Sequence, residues 1–106
     1  MADIATKKIF ENDEIAVWEM VLEPGQASGL HTHSSSYVFY VLEGATCEVT
    51  DKEGKSCGAL TMEAGFTMFF KLTGQELIAG DFRIPITHSA RNIGQTRFRE
   101  ILVETK

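Results

Sequence analysis

Along the chain, short runs of alternating apolar and polar residues recur between turn signals, and no stretch longer than a few residues carries a helical period. The pattern predicts an all-β domain. Ile15 to Leu22 (IAVWEMVL) places Trp18, Met20 and Leu22 on one face and ends at the turn Glu23-Pro24-Gly25. Tyr37 to Leu42 (YVFYVL) is apolar on both faces, as expected of a strand covered outside by another sheet or subunit. Thr46 to Asp51 and Lys55 to Met62 read as a hairpin about Glu53-Gly54, and Phe66 to Lys71 (FTMFFK) as a further strand. Thr73-Gly74 and Gly80-Asp81 punctuate two short strands. His88 to Asn92 and Thr96 to Glu104 (TRFREILVE) are expected to pair with one another through Ile93-Gly94-Gln95. About eight to ten strands in so small a domain imply a closed barrel or jelly roll, because an open sheet of that number leaves long exposed edges.

Composition narrows the classes. The 106 residues suffice for one domain, with its core over about residues 15 to 104, and no second domain. Apolar content of 43% with 24% charged residues is that of an ordinary globular chain. A net charge of −5 and a pI near 5.1 offer no clustered basic surface, so neither nucleic acid nor anionic lipid is an expected partner. Met1 to Asn12 lacks the apolar core of a secretory signal, and no run approaches the roughly 20 apolar residues that span a bilayer. The cytoplasm is the expected compartment.

Cys47 and Cys57 flank the hairpin turn and stand near enough in sequence for a disulfide, which a reducing compartment disfavours. Cys47 shares its strand face with Ala45 and Val49, so a small buried hydrophobe is the expected role, ahead of a metal ligand.

The chain's three histidines carry its chemistry. His31 and His33 form H-T-H, and imidazoles at i and i+2 of an extended segment lie on one face with Cα atoms about 6.5 Å apart. With His88 from a distant strand they would make a three-nitrogen set suited to one divalent transition ion per chain (Fe, Ni, Zn, Mn or Cu), with coordination positions left open. Alone, H-x-H in a polar loop is more often merely exposed or hydrogen-bonded. The joint spacing of Gly25, His31, His33, Tyr37 and Gly44, followed by Gly80, Pro85, His88 and Asn92, makes a metal site the better reading.

At these residues the chain resembles a single-domain cupin. Gly25, His31, His33 and Gly44 match the first motif, G-x5-H-x-H-x3/4-E-x6-G, and Gly80, Pro85, His88 and Asn92 stand for the glycine, proline, histidine and asparagine of the second. The resemblance implies a double-stranded β-helix (jelly-roll) barrel, a three-histidine metal centre and a homodimer, often with terminal strands added to the partner's sheet. It departs at two places: Tyr37 stands where the family has a glutamate, and the loop from Pro85 to His88 lacks two residues including its glycine. Glu43 is no substitute, because it lies about 20 Å further along the strand, and parity does not decide whether Glu19 or Glu100 points inward.

Tyr37 is the candidate catalytic residue, with three readings. It ligates as phenolate, hydrogen-bonds a metal-bound water, or packs with its hydroxyl satisfied. The second is preferred because it needs no ionisation of a phenol whose ordinary pKa is near ~10. Phe39 and Val41 share the face of Tyr37, and with Met20 and Trp18 they predict an apolar pocket for a small organic molecule. Arg83, Arg91, Arg97 and Arg99 would hold a ligand carboxylate if any pointed inward, although a surface position is the commoner lot of each. Asn92 is expected to cap the turn before Gly94. A metal-dependent enzyme of the dioxygenase or lyase/isomerase type is the preferred functional reading. A non-catalytic cupin that binds or senses metal and a small ligand is the alternative.

Overall fold

The computed structural model describes residues 2–106, and these form eleven β-strands. They are β1 Lys7–Glu11, β2 Ile15–Leu22, β3 His31–Thr32, β4 Tyr37–Glu43, β5 Ala45–Asp51, β6 Ser56–Met62, β7 Thr67–Thr73, β8 Glu76–Ala79, β9 Phe82–Pro85, β10 Thr87–Asn92 and β11 Phe98–Thr105. Every neighbouring pair is antiparallel, and two sheets result, one ordered β1-β2-β11-β4-β7-β8-β9 and the other β3-β10-β5-β6. Among the described residues no helix is long and apolar enough to cross a membrane.

The alternation read from the sequence sets which residues face the space between the sheets. On β2, Ala16, Trp18, Met20 and Leu22 are buried, while Ile15, Val17, Glu19 and Val21 are only partly covered on the outer side. On β5, Ala45, Cys47 and Val49 point inward, as expected for Cys47, and both cysteines are free thiols. Cys47 is paired across the hairpin with Leu60 rather than Cys57. Burying one such aliphatic or aromatic side chain contributes about 1.5–3 kcal/mol.

One expected pairing is corrected. β10 and β11 are consecutive in the chain but lie in different sheets: β10 sits between β3 and β5, and β11 between β2 and β4. The side chain of Asn92 forms the corner at which the chain leaves one sheet for the other. Its Nδ2 donates to the carbonyls of Leu22 (2.9 Å) and Thr96 (2.7 Å), and its Oδ1 accepts from the Gly94 N–H at 2.9 Å. The cap expected of Asn92 is therefore present, and its bond to Leu22 also joins β2 to this corner.

Two glycines are required by geometry. Gly25, at φ +85°, is the third residue of the turn closed by the Gln26 N–H on the Glu23 carbonyl at 2.9 Å, a conformation that side chains resist. Gly44 joins β4 to β5 where a Cβ would lie 2.3 Å from the Met62 carbonyl oxygen and 2.8 Å from Glu63 Cα. These turns place the histidine segment after β2 and start β5 beside β10.

Candidate metal centre

β3 and β10 pair so that His31 stands directly opposite His88. His33 follows one residue beyond β3, anchored by its N–H on the Ile86 carbonyl at 2.9 Å. On the neighbouring rung the Thr32 and Thr87 hydroxyls are 2.8 Å apart on the outer side, which holds the register. The result is three imidazoles, each 2–4% exposed, with one possible ligand nitrogen from each lying within 4.8 Å of the others. Ring centroids are 4.9 Å apart for His31 and His33, 4.7 Å for His31 and His88, and 5.0 Å for His33 and His88.

The backbone orients two of the rings. His31 Nδ1 lies 2.9 Å from the Gly29 carbonyl and His88 Nδ1 lies 2.6 Å from the Pro85 carbonyl. A carbonyl only accepts, so each Nδ1 carries the proton and each Nε2 keeps a free lone pair, the arrangement usual for a metal-ligating histidine. Ser28 supports this corner by donating to the Gly29 carbonyl at 3.0 Å and accepting from the Ala90 N–H at 3.0 Å. His33 is held differently. Its ring stacks on Tyr37 at 4.3 Å and 19°, and its Nδ1 is a buried nitrogen without a hydrogen-bond partner among the described residues.

Burial keeps all three rings neutral at physiological pH. The pKa of His33 is pushed down to about 2, by desolvation first and then by the neighbouring His88 and His31. That of His88 is lowered to about 4, chiefly by burial and against the Pro85 carbonyl bond. His31 is lowered by burial, with the Gly29 carbonyl opposing. Three unprotonated nitrogens converging on one point, with one orphaned ring atom, fit a transition-metal ion. An ion accepting lone pairs meets a need that protein groups leave open, since an unpartnered buried polar atom costs about 1–3 kcal/mol.

The rings line a partly open cavity of about 70 Å³ whose other walls are mostly apolar and aromatic, Phe39, Phe70, Phe98 and Met20 among them. Tyr37 lines it as well, its hydroxyl kept protonated by burial and by the field of Glu100. Trp18 and Val41, expected in the wall, are buried but do not reach the cavity, and Trp18 Nε1 donates to Glu104 at 2.9 Å.

The arginines do not enter it. Arg83, Arg97 and Arg99 are ion-paired with Glu76, Glu43 and Glu19, and Arg91 donates to the Gly25 carbonyl at 2.5 Å. Those pairs also answer the question of parity. Glu19 faces outward to Arg99, whereas Glu100 is 7% exposed and lines the cavity. The sequence signal for Glu100 was its place between Phe98 and Leu102, both inward, but the outer residues Ile101 and Val103 are equally apolar.

Two sheets of short antiparallel strands enclosing a cavity with a three-histidine cluster define a double-stranded β-helix of the cupin type. Residues 18–73 match the Cupin_2 family of cupin domains, and the chain belongs to that family. No curated relative matches it. Solved structures agree on the fold. A cupin domain from Bordetella pertussis Tohama I superposes with a TM-score of 0.70 at 20% identity, covering 99% of each chain. An RmlC-like cupin with a double-stranded β-helix fold from Methanocaldococcus jannaschii gives 0.63 at 12% identity, covering 93% of this chain and 76% of the other. A sugar phosphate isomerase of the cupin superfamily from Silicibacter pomeroyi DSS-3 gives 0.53 at 21% identity, covering 88% and 51%.

Proposed function

We propose that this cupin is a metal-dependent enzyme acting on a small organic molecule, of the dioxygenase or lyase/isomerase type, with His31, His33 and His88 holding one divalent transition ion. The observation that carries the reading is the convergence of three neutral, buried imidazoles on one point of a cavity. When bound, such an ion supplies a Lewis acid with open positions. The residues around it have separable tasks. The Gly29 and Pro85 carbonyls aim two rings, the aromatic wall excludes bulk water, and Tyr37 offers an un-ionised hydroxyl to whatever occupies the cavity.

The non-catalytic reading draws its support from the size of the cavity, since about 70 Å³ has room for about two waters. The lining also carries no lysine or arginine, which argues against a sugar phosphate as the ligand despite the neighbour from Silicibacter. The reading places the protein in the cytoplasm, where free thiols such as Cys47 and Cys57 persist. It acts as a homodimer without nucleic-acid or membrane partners. The outer face of the larger sheet supports the dimer, because a row of Val17, Val103, Val38 and Phe69 crosses four strands beside Ile101 and the exposed Tyr40. Element-resolved metal analysis of untagged protein tests the central claim. About one ion per chain, lost in His31→Ala and His88→Ala and retained in Tyr37→Phe, is expected. Absence of metal after reconstitution refutes it.

A further inference from the structure

Glu100 has no structural explanation of its own. It lies on β11 between the inward Phe98 and Leu102, faces Met20 of β2 and Val41 of β4 across the ladder, and lines the same cavity as the histidines. Its side chain forms no hydrogen bond and no ion pair among the described residues. A buried, unpaired carboxyl is costly, and a leucine or methionine would fill the position more stably. Groups kept in a cavity against stability are candidates for binding.

The surroundings decide its form. Of the groups that line the cavity with it, Met20 and Leu22 of β2, Phe70 of β7 and Leu60 and Met62 of β6 carry no charge. The titratable neighbours are Tyr37 of β4 and Cys47 of β5, both neutral and both pushed upward in pKa by burial and by the field of Glu100. His31, His33 and His88, at the other polar part of the cavity, are neutral as well. Among the described residues no lysine or arginine lines the cavity, and in the metal-free protein the carboxyl is held as the acid, its pKa raised by burial to about 8. A neutral carboxyl has one O–H to donate.

We infer that Glu100 is the second pole of the ligand site and donates a hydrogen bond to an oxygen of a small carboxylate or carbonyl compound lodged beside the three histidines. The inference rests on the reading of those histidines as a metal centre. It adds a chemical class: a ligand of a few non-hydrogen atoms with an oxygen acceptor, and not an amine cation. The pocket space of about 70 Å³ admits a molecule near the size of acetate.

The test uses cobalt-loaded protein titrated with acetate, or with methylammonium, near pH 6.5, followed by the visible spectrum of the ion. Glu100→Gln keeps a donor and is expected to bind acetate within about threefold of the parent, whereas Glu100→Leu loses the donor and weakens it by about tenfold or more. Equal acetate affinity in the parent and Glu100→Leu, no acetate binding to the parent, or preference for methylammonium overturns the inference. Infrared spectra of the metal-free proteins at neutral pH give an independent arm. The parent is expected to show a protonated-carboxyl band that Glu100→Gln lacks, and a missing band also overturns the inference. Failure of the parent to take up cobalt, with the band present, refutes the metal reading and leaves the acid form of Glu100 standing.

Discussion

Replacing Glu100 by glutamine should make the metal-free protein more stable at neutral and alkaline pH while leaving its acid stability nearly unchanged. The side chains are close in volume and both polar, so the difference isolates ionisation. Burial lifts the carboxyl from its ordinary 4.5 to about 8. Since the folded-state pKa is the higher one, folding takes up a proton. The carboxyl imposes no ionisation cost below about pH 4.5, a cost growing by about 1.4 kcal/mol per pH unit up to about pH 8, and a constant cost above. The plateau is about 5 kcal/mol, a large share of the 5–15 kcal/mol that holds a typical domain folded. Urea unfolding of parent and Glu100→Gln, with chelator present, reads it. The gap should widen by about 3 kcal/mol between about pH 5 and pH 7.5. The histidine titrations at the acid end are common to both proteins and cancel. Two stability curves that stay parallel across this range would refute the assignment of Glu100 as a desolvated, unpaired acid.

Four further outcomes follow from named contacts. His31→Ala, His33→Ala and His88→Ala should each reduce bound metal from about one ion per chain to near zero by elemental analysis, with Tyr37→Phe retaining it. Because burial lowers the pKa of His31 and holds those of His33 and His88 near about 2 and about 4, metal affinity of Glu100→Gln, which has no titrating carboxyl in the cavity, should change little between about pH 8 and pH 6 when measured with a competing dye. A fall of tenfold per pH unit there would show that protons compete as they do for exposed imidazole. Gly44→Ala should cost about 1–3 kcal/mol or more by thermal unfolding, because the added methyl meets the Met62 and Glu63 backbone rather than a movable side chain. Phe69→Asp on the outer sheet face should shift sedimentation from dimer to monomer while preserving metal content.

The strands with one apolar and one polar face were legible from sequence, as were the β5–β6 hairpin and the placing of both histidine segments in one site. Three features were not. β1, with the sequence KKIFE, is exposed along its whole length, so it has no buried face to announce it. The separation of β10 from β11 depends on Asn92 bonding to Leu22, seventy residues away, and no local pattern encodes that partner. The direction of Glu100 was hidden because β11 is apolar on both sides, so alternation alone fits either orientation. The arginines hold the surface positions expected as their commoner lot: each has an outward partner, three of them acidic, on a neighbouring strand or turn.

The direct opposition of His31 and His88 bears on the order of folding. Nearly sixty residues and six strands separate the two in the chain, yet they meet on a single rung of a two-rung ladder. A slip of one residue in that ladder would turn one imidazole out of the barrel. No hairpin or half-formed sheet can therefore assemble the nitrogen cluster. On the proposed metal reading, capture of an ion would be a late event, and the spectrum of a bound cobalt ion would report that the last long-range closure has been made.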